Sequence, residues 1–212
     1  MKSTARAQSL DDFVATTQLP TEHGTVAVHV HVDEWGKEHL AVAFGAVAGA
    51  KDLPVRVHSE CFTGEILGSL KCDCKQQLDG ALSYFREHGR GVLLYLRQEG
   101  RGIGLMNKIR AYALQELGHD TVEANHLLGF PDDARTYHEA ATMLSRLDVR
   151  SIRLLTNNPD KISKLRDLGV SVKGRIPLVI EPQSAQAASY LECKRLRMGH
   201  LLDERVDLSL IE

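Results

Sequence analysis

The sequence lacks any hydrophobic run long enough to cross a membrane. A helical span needs about 18 to 20 consecutive apolar residues, and no stretch of the 212-residue chain approaches that length. Residues 1–20 carry several charges and no apolar central segment, so they do not resemble a signal peptide. We therefore expect a cytoplasmic protein.

A strong excess of charge of either sign is also missing. The chain has 26 Lys and Arg residues and 28 Asp and Glu residues, which give a formal net charge of −2. General binders of nucleic acid or of membrane surfaces carry a basic excess, so we expect neither a nucleic-acid nor a membrane partner. Any anionic ligand must be bound by a local concentration of Lys and Arg.

Cysteines are few, and internal repeats and low-complexity segments are absent. Four cysteines in a reducing compartment suit metal binding or catalysis better than a disulfide framework. The absence of repeats argues against a solenoid. A composition of 43% apolar and 25% charged residues is ordinary for a globular protein, and the length allows one compact domain with a substantial core.

Hydrophobic periodicity predicts a β-rich N-terminal half followed by alternating strands and helices. Strands are predicted over residues 25–32, 39–47, 55–58, 92–96, 151–155 and 170–180, and helices over residues 76–88, 105–117, 132–147 and 159–168. Residues 1–20 are polar and are expected to be loosely attached. The predicted fold class is α/β with mixed α+β character, in a single compact domain.

Three of the cysteines, Cys61, Cys72 and Cys74, form a C-x10-C-x-C pattern. Structural zinc sites usually close with four protein ligands, whereas catalytic sites use three and leave one position for water. The count therefore favours a catalytic zinc site. Two alternatives remain from the residues alone, namely free cysteines buried in the core and a structural site with His58 as the fourth ligand. Cys193 stands alone in a polar stretch and receives no role.

Two turns between a strand and a helix are candidates for phosphate binding. In the first, RQEGRGIG over residues 97–104, glycines allow close backbone approach and Arg101 can grip phosphate with two hydrogen bonds. In the second, LLTNNPDK over residues 154–161, Thr156 ends a strand and Lys161 lies in the first helical turn. A cation there opposes the helix dipole unless an anion is bound. The alternatives are a solvated glycine-rich turn and a capped helix with a surface lysine.

Several long motifs together resemble the GTP cyclohydrolase II family. The matching stretches are LPTEHG, RVHSECFTGEILGSLKCDCKQQLDGAL, YLRQEGRGIGLMNKIRAYALQELGHDTVEANHLLGF, PDDARTY and RLLTNNPDKI, followed by RIPL and KRLRMGHLL. The resemblance implies a family domain over residues 19–203. It leaves a polar N-terminal segment, residues 1–18, that is expected to be flexible, and a C-terminal tail, residues 204–212.

The resemblance implies an enzyme that hydrolyses GTP and opens its imidazole ring at C8, releasing formate and pyrophosphate. The product would be 2,5-diamino-6-(5-phospho-D-ribosylamino)pyrimidin-4(3H)-one, in the first committed step of riboflavin biosynthesis. The family further implies one catalytic Zn²⁺ per subunit, Mg²⁺ with the triphosphate, and a homodimer. Two alternatives stay open, a relative that stops at the formylamino pyrimidine nucleotide and a non-catalytic GTP-binding zinc module.

The resemblance also implies roles for individual residues. Cys61, Cys72 and Cys74 would bind the zinc, and Tyr112 would assist ring opening. Asp133 would be the proton acceptor and Arg135 the nucleophile that attacks the α-phosphorus. A guanidinium with a pKa above about 12 is a poor nucleophile, so phosphate stabilisation by Arg135 paired with Asp133 is the physical alternative. GTP would be contacted by Arg56, Val57, His58, Ser59, Glu60, Gln77, Glu99, Gly100, Arg101, Thr121, Thr156 and Lys161.

Overall fold

The computed structural model describes residues 13–178, which build a seven-stranded mixed sheet with helices on both faces. The strands are β1 (Ala15–Thr21), β2 (Gly24–Val32), β3 (Glu38–Phe44), β4 (Leu53–Ser59), β5 (Gly91–Leu96), β6 (Ile152–Leu155) and β7 (Val172–Ile176). The α-helices are α1 (Phe62–Glu65), α2 (Cys74–His88), α3 (Gly104–Glu116), α4 (Thr121–Leu127), α5 (His138–Arg146) and α6 (Pro159–Asp167), and a 3-10 turn over Glu99–Gly102 precedes α3. These elements confirm the predicted α/β class. Cys193, the KRLRMGHLL motif and the predicted C-terminal tail lie outside the described residues.

The order of the strands reverses at β4. The sheet runs β1-β2-β3-β5-β4-β6-β7, with antiparallel pairing from β1 to β5 and parallel pairing from β5 to β7. From β4 the chain first crosses to β5 on one side and later returns to β6 on the other side. In open α/β sheets, ligands bind outside the carboxyl ends of the strands at such a reversal.

Strand β4 is buried on both faces, as a central parallel strand should be. Its side chains alternate between the faces, and Val55 and Val57 belong to the main core with residues such as Met143 of α5 and Leu165 of α6. On the opposite face, a second core around Phe85 packs α2 against the sheet. The crossover from β4 to β5 and the crossover from β5 to β6 therefore lie on opposite faces, which leaves a crevice between them at the carboxyl ends of the strands.

Local capping signals predicted the ends of two helices correctly. Helix α2 ends at Gly89, which has a left-handed φ of 63°. Helix α6 begins after Asn158, whose side chain accepts a hydrogen bond from the Asp160 amide at 3.0 Å, with Pro159 in the first position. Among residues 13–178, no helix has the combined length and apolar character that a membrane crossing requires.

The helix predicted over residues 132–147 is wrong in its first part, since α5 begins only at His138. Asp133 Oδ1 accepts a hydrogen bond from the Arg135 amide at 3.0 Å, so the side chain competes with helical backbone pairing. The Ala134 amide donates to the carbonyl of Arg101 at 3.1 Å. This segment is therefore a loop that lies against the glycine-rich turn.

The loose attachment predicted for residues 1–20 is wrong from Phe13 onward. Strand β1 pairs with β2 from Ala15, opposite Val30, to Thr21, opposite Gly24, and Phe13 is buried in the main core. β1 is one of the two edge strands of the sheet, and the side chains on both of its faces are exposed. An edge strand without a buried face carries no alternating hydrophobic pattern, and periodicity could not reveal it.

Candidate active site and metal centre

A cleft lies at the carboxyl ends of β4, β5 and β6, where the strand order reverses. Three segments enclose it, namely the cysteine segment after β4, the glycine-rich turn after β5 and the Thr-Asn-Asn-Pro turn after β6. All of the predicted site residues line this cleft except Val57 and Asp133. The fold thus brings together residues from distant parts of the sequence.

The three cysteines form a compact sulfur cluster in this cleft. Their Sγ atoms all lie within 4.8 Å of one another, and the Sγ atoms of Cys61 and Cys72 are 3.7 Å apart. Two thiolates in a tetrahedral zinc site, each with a Zn–S bond of about 2.3 Å, are separated by about 3.8 Å. Cys74 is the first residue of α2, so its sulfur lies at the positive end of a helix dipole. The cluster therefore has the donor set and the dimensions of a zinc site.

Gly64 allows α1 to pack directly against the sulfurs. A Cβ atom at this position would lie 2.9 Å from the Cys72 Sγ and 3.1 Å from the Cys61 Sγ. Such contacts would push the sulfurs from their places, so a side chain here is incompatible with the observed cluster. The close approach shows that the chain is shaped around the three sulfurs.

His58 is not part of this cluster. Its Nε2 lies 2.9 Å from Oε1 of Glu65, and burial lowers the pKa of His58. Within the part of the chain that the structure describes, the closely spaced metal-binding side chains are the three cysteines alone. The four-ligand alternative with His58 is therefore wrong for the observed geometry. The alternative of inert core cysteines is also disfavoured, because all three cysteines line the cleft.

Glu65 holds the segment that carries the first cysteine, and sequence reasoning missed it. Its Oε1 accepts a hydrogen bond from the Cys61 amide at 2.8 Å. Its Oε2 accepts one from the Tyr95 hydroxyl at 2.7 Å. Together with the contact to His58, these bonds occupy a carboxylate that is almost fully buried. The available signal was its position four residues after Cys61, although this spacing alone does not identify a partner.

Lys108 contacts the sulfur cluster and was also missed. Its Nζ lies 3.0 Å from the Cys61 Sγ and 2.7 Å from Oε1 of Glu99. Hydrogen bonds from the thiols of Cys72 and Cys74, together with this ammonium, lower the pKa of Cys61. Lys108 lies four residues before Tyr112 on α3, which places both on one helix face. That spacing was the signal that could have found it.

The glycine-rich turn has an unusual backbone that fits it against the following loop. Gly100 and Arg101 both adopt left-handed conformations, with φ of 61° and 58°. Gly102 has a φ of 92°, and a Cβ atom there would lie 3.0 Å from the backbone of Ala134. Glycine at this position therefore permits the turn and the loop with Arg135 to meet at the cleft.

Asp133 and Arg135 form a bidentate ion pair. Arg135 Nε donates to Asp133 Oδ1 at 2.9 Å, and the terminal nitrogen donates to Oδ2 at 2.5 Å. The two side chains are only 15% and 11% exposed. Burial raises the pKa of Asp133, but the hydrogen bonds and charge of Arg135 outweigh burial and leave this pKa lowered. Arg135 lines the cleft, whereas Asp133 does not.

Further cations lie deep in the cleft. Lys161 is only 5% exposed, which contradicts the surface-lysine alternative, and its Nζ donates to the Val57 carbonyl at 2.9 Å. The Val57 side chain points into the core, so only its backbone belongs to this region. Arg56 donates to the Leu155 carbonyl at 3.0 Å and also to the side-chain amide of Gln77. Burial lowers the pKa of Arg56 to about 10, so the side chain remains a cation at neutral pH.

Two further residues that line the cleft, on α3 and α4, carry hydroxyl groups. Tyr112 OH lies 3.4 Å from the hydroxyl of Thr63, and burial raises the pKa of Tyr112 to about 12. Thr121 is the first residue of α4, and its hydroxyl accepts a hydrogen bond from Gln115 at 3.5 Å. Tyr112 is therefore a neutral phenol at physiological pH, able to donate a proton.

Three other predicted site residues, Glu60, Ser59 and Thr156, also line the cleft. Glu60 accepts a hydrogen bond from Arg97 Nε at 2.9 Å. The Ser59 hydroxyl is buried and has no hydrogen-bond partner among the described residues. The Thr156 hydroxyl accepts a hydrogen bond from the Asn158 amide at 3.0 Å. The cleft thus combines a sulfur cluster, several cations and a small number of polar groups.

Comparison with known proteins gives a consistent family assignment. A family model for GTP cyclohydrolase II matches residues 12–177. GTP cyclohydrolase-2 of Klebsiella pneumoniae is 49% identical over 194 residues, covering 91% of this chain and 96% of the relative. The enzyme of the same name from Pectobacterium atrosepticum is 50% identical over 191 residues, covering 90% and 96%. That of Picrophilus torridus is 46% identical over 190 residues, covering 90% and 98%.

Among solved structures, a two-domain 3,4-dihydroxy-2-butanone 4-phosphate synthase from A. baumannii matches with a TM-score of 0.43 and 19% identity, over 80% of this chain and 40% of that one. The family model and the sequence relatives are far more specific, because they cover most of the chain at close to half identity. The chain belongs to the GTP cyclohydrolase II family.

Proposed function

We propose that this protein hydrolyses GTP at C8 of the guanine ring and releases formate and pyrophosphate. The product is 2,5-diamino-6-(5-phospho-D-ribosylamino)pyrimidin-4(3H)-one, the expected first intermediate of riboflavin biosynthesis. The observation that carries the proposal is that a three-cysteine cluster and a group of cations line one cleft. A metal for ring hydrolysis and a binding site for the triphosphate are the two parts that this reaction needs.

Cys61, Cys72 and Cys74 are the residues that would hold zinc. A zinc ion bound by three protein ligands supplies a Lewis acid that makes water a nucleophile near neutral pH. The chain contributes the position of the substrate relative to this centre. Glu60 directly precedes Cys61 and lines the cleft, which supports the proposal that its carboxylate accepts hydrogen bonds from N1 and the exocyclic amine of guanine.

The triphosphate is proposed to lie along the cations of the cleft. Arg101, Arg135 and Lys161 line this region, and preorganised cations stabilise the charge that develops on phosphate oxygens. Mg²⁺ is proposed to accompany the triphosphate, because pyrophosphate release needs charge neutralisation. The homodimer and the cytoplasmic location stay predictions from the family resemblance and the sequence.

The proposed function is tested by a complete product balance. Zinc-loaded protein is incubated with GTP and Mg²⁺, and formate, pyrophosphate and the pyrimidine product are measured by mass spectrometry. We expect equal amounts of all three, with ATP as the control substrate giving none. Pyrophosphate without formate would favour the relative that stops at the formylamino nucleotide. Tight GTP binding without any product would favour the non-catalytic module.

Arg135 is expected to act as a fixed cation, because its bidentate pair with Asp133 keeps the guanidinium protonated. In Arg135→Lys, we expect pyrophosphate release to fall roughly 10- to 100-fold, the equivalent of one charge-assisted hydrogen bond of about 1.5–3 kcal/mol. Arg110→Lys, on the exposed side of α3, is the matched control. Reactions with GTP radiolabelled at the α-phosphate, quenched in alkaline detergent because a phosphorus–nitrogen bond is hydrolysed by acid, should leave no label on the protein. Label on the unmodified chain that disappears in Arg135→Lys would instead establish the nucleophile role.

A further inference from the structure

Lys108 belongs to neither the predicted metal ligands nor the predicted GTP contacts, yet it touches the sulfur cluster. We propose that Lys108 is a positioning residue of the metal centre, which holds the Cys61 sulfur through a charged N–H···S hydrogen bond and limits how much electron density this sulfur donates to a bound metal. The inference rests on the metal site of the proposed function. It concerns the electronic state of that site and not the identity of the substrate.

Burial and two acceptors hold the Lys108 ammonium in one position. Its side chain is only 11% exposed, and its Nζ lies 3.0 Å from the Cys61 Sγ and 2.7 Å from Oε1 of Glu99. An ammonium group has three protons to donate and is costly to bury without acceptors. The sulfur and the carboxylate are the acceptors that the fold supplies to it.

Glu99, the second acceptor of this ammonium, is itself held by hydrogen bonds from the backbone. Its Oε1 also accepts a hydrogen bond from the Gly100 amide at 2.7 Å, and its Oε2 accepts one from the Phe62 amide at 2.6 Å. Phe62 directly follows Cys61, so the carboxylate joins the cysteine segment to the glycine-rich turn. Lys108 cannot turn away from the sulfur without losing its contact with a carboxylate that both segments hold in place.

The effect of Lys108 on a bound metal follows from the charges around that metal. Three thiolates around one divalent cation leave one negative charge in excess. A hydrogen bond to a ligating atom changes its donor strength, as other groups around metal ligands do. With the ammonium present, the Cys61 sulfur donates less, and the metal remains a stronger Lewis acid.

The test uses Co²⁺ in place of zinc, because thiolate-to-cobalt charge-transfer absorption reports the electron density on sulfur. In the full chain carrying Lys108→Met, we expect this band to shift to lower energy. Lys108→Arg keeps a charged donor and should stay close to the unmodified protein. Arg110→Met removes one positive charge from an exposed position on the same helix and serves as the matched control, with no shift expected.

The outcomes separate this inference from the function on which it rests. An unchanged band in Lys108→Met overturns it, and so does an equal shift in Arg110→Met. If Lys108→Met folds by circular dichroism but loses cobalt that Lys108→Arg retains, the positioning role is supported. If the unmodified protein binds no cobalt, both the inference and the metal site are overturned. If the protein binds cobalt and shows the band shift but does not turn over GTP, only the proposed function is overturned.

Discussion

Replacing Cys72 by serine is expected to abolish formate release from GTP almost completely while the fold is retained. A serine hydroxyl stays protonated at neutral pH and is a weak ligand for zinc, so the site would keep two thiolates where three lie within 4.8 Å of one another. A catalytic metal supplies several kcal/mol of transition-state stabilisation, so turnover should fall by at least about 10³-fold. The measurements are formate release and zinc content per chain.

The Cys72→Ser variant allows a loss of catalysis to be distinguished from a loss of the fold. Cys72 is buried, and serine is nearly isosteric with it, so circular dichroism and thermal unfolding should show a folded chain. Cys193→Ser removes the remaining cysteine, to which no role is assigned, and should keep both zinc and activity. Full turnover by Cys72→Ser would show that the catalytic-zinc proposal is wrong. Loss of turnover with one zinc still bound would mean that Cys72 acts in catalysis without holding the metal.

Local patterns predicted the parts of this site that lie where a strand ends and a helix begins. The cysteine segment, the glycine-rich turn and the turn with Thr156 all follow parallel strands, and the carboxyl ends of such strands meet at one edge of a sheet. Short-range signals were sufficient there, because each turn carries its own glycine, proline or capping residue. Residue identities and their order along the chain also supported the family resemblance.

Contacts between distant segments could not be predicted in this way. Lys108 reaches the Cys61 sulfur across 47 residues, and Lys161 reaches the Val57 carbonyl across 104. The sequence placed Lys161 in the first turn of a helix and Lys108 on the helix face of Tyr112, but it gave neither the burial nor the protein contacts of the two side chains. Their burial follows from how α3 and α6 approach the end of β4, and no local pattern encodes this approach.

The structure also distinguishes two kinds of residue among those to which the resemblance gave a role, Glu99 and Gln77 as GTP contacts and Arg135 as the nucleophile. Both oxygens of Glu99 bind groups of the protein itself, and the Gln77 amide bridges Arg56 and Asp73. These side chains hold other site residues in place. Arg135, in contrast, lines the cleft while its carboxylate partner Asp133 does not, and its contact with the ligand stays a prediction.

Removing the Tyr112 hydroxyl is expected to slow ring opening and formate release by about 10²–10⁴-fold, the usual contribution of a general acid. Burial raises the pKa of Tyr112 to about 12, so the phenol carries its proton at any assay pH near neutrality and can donate it to the leaving nitrogen. In Tyr112→Phe the ring remains, and the Lys71 ammonium, 4.8 Å from the ring centroid, keeps its contact. The measurement compares formate and pyrophosphate release by the same sample.

These two products make the test specific, because a proton donor to the ring nitrogen acts in ring opening and not in the release of pyrophosphate. Formate release should therefore fall much more than pyrophosphate release, and a formylated pyrimidine nucleotide should accumulate. Tyr84→Phe removes a hydroxyl from α2, outside the residues that line the cleft, and should leave both products unchanged. If formate release by Tyr112→Phe equals that of the unmodified protein, the hydroxyl takes no part in ring opening. An equal fall in both products would mean that Tyr112 positions the whole nucleotide, since a proton donor to the ring nitrogen has no reason to slow the release of pyrophosphate.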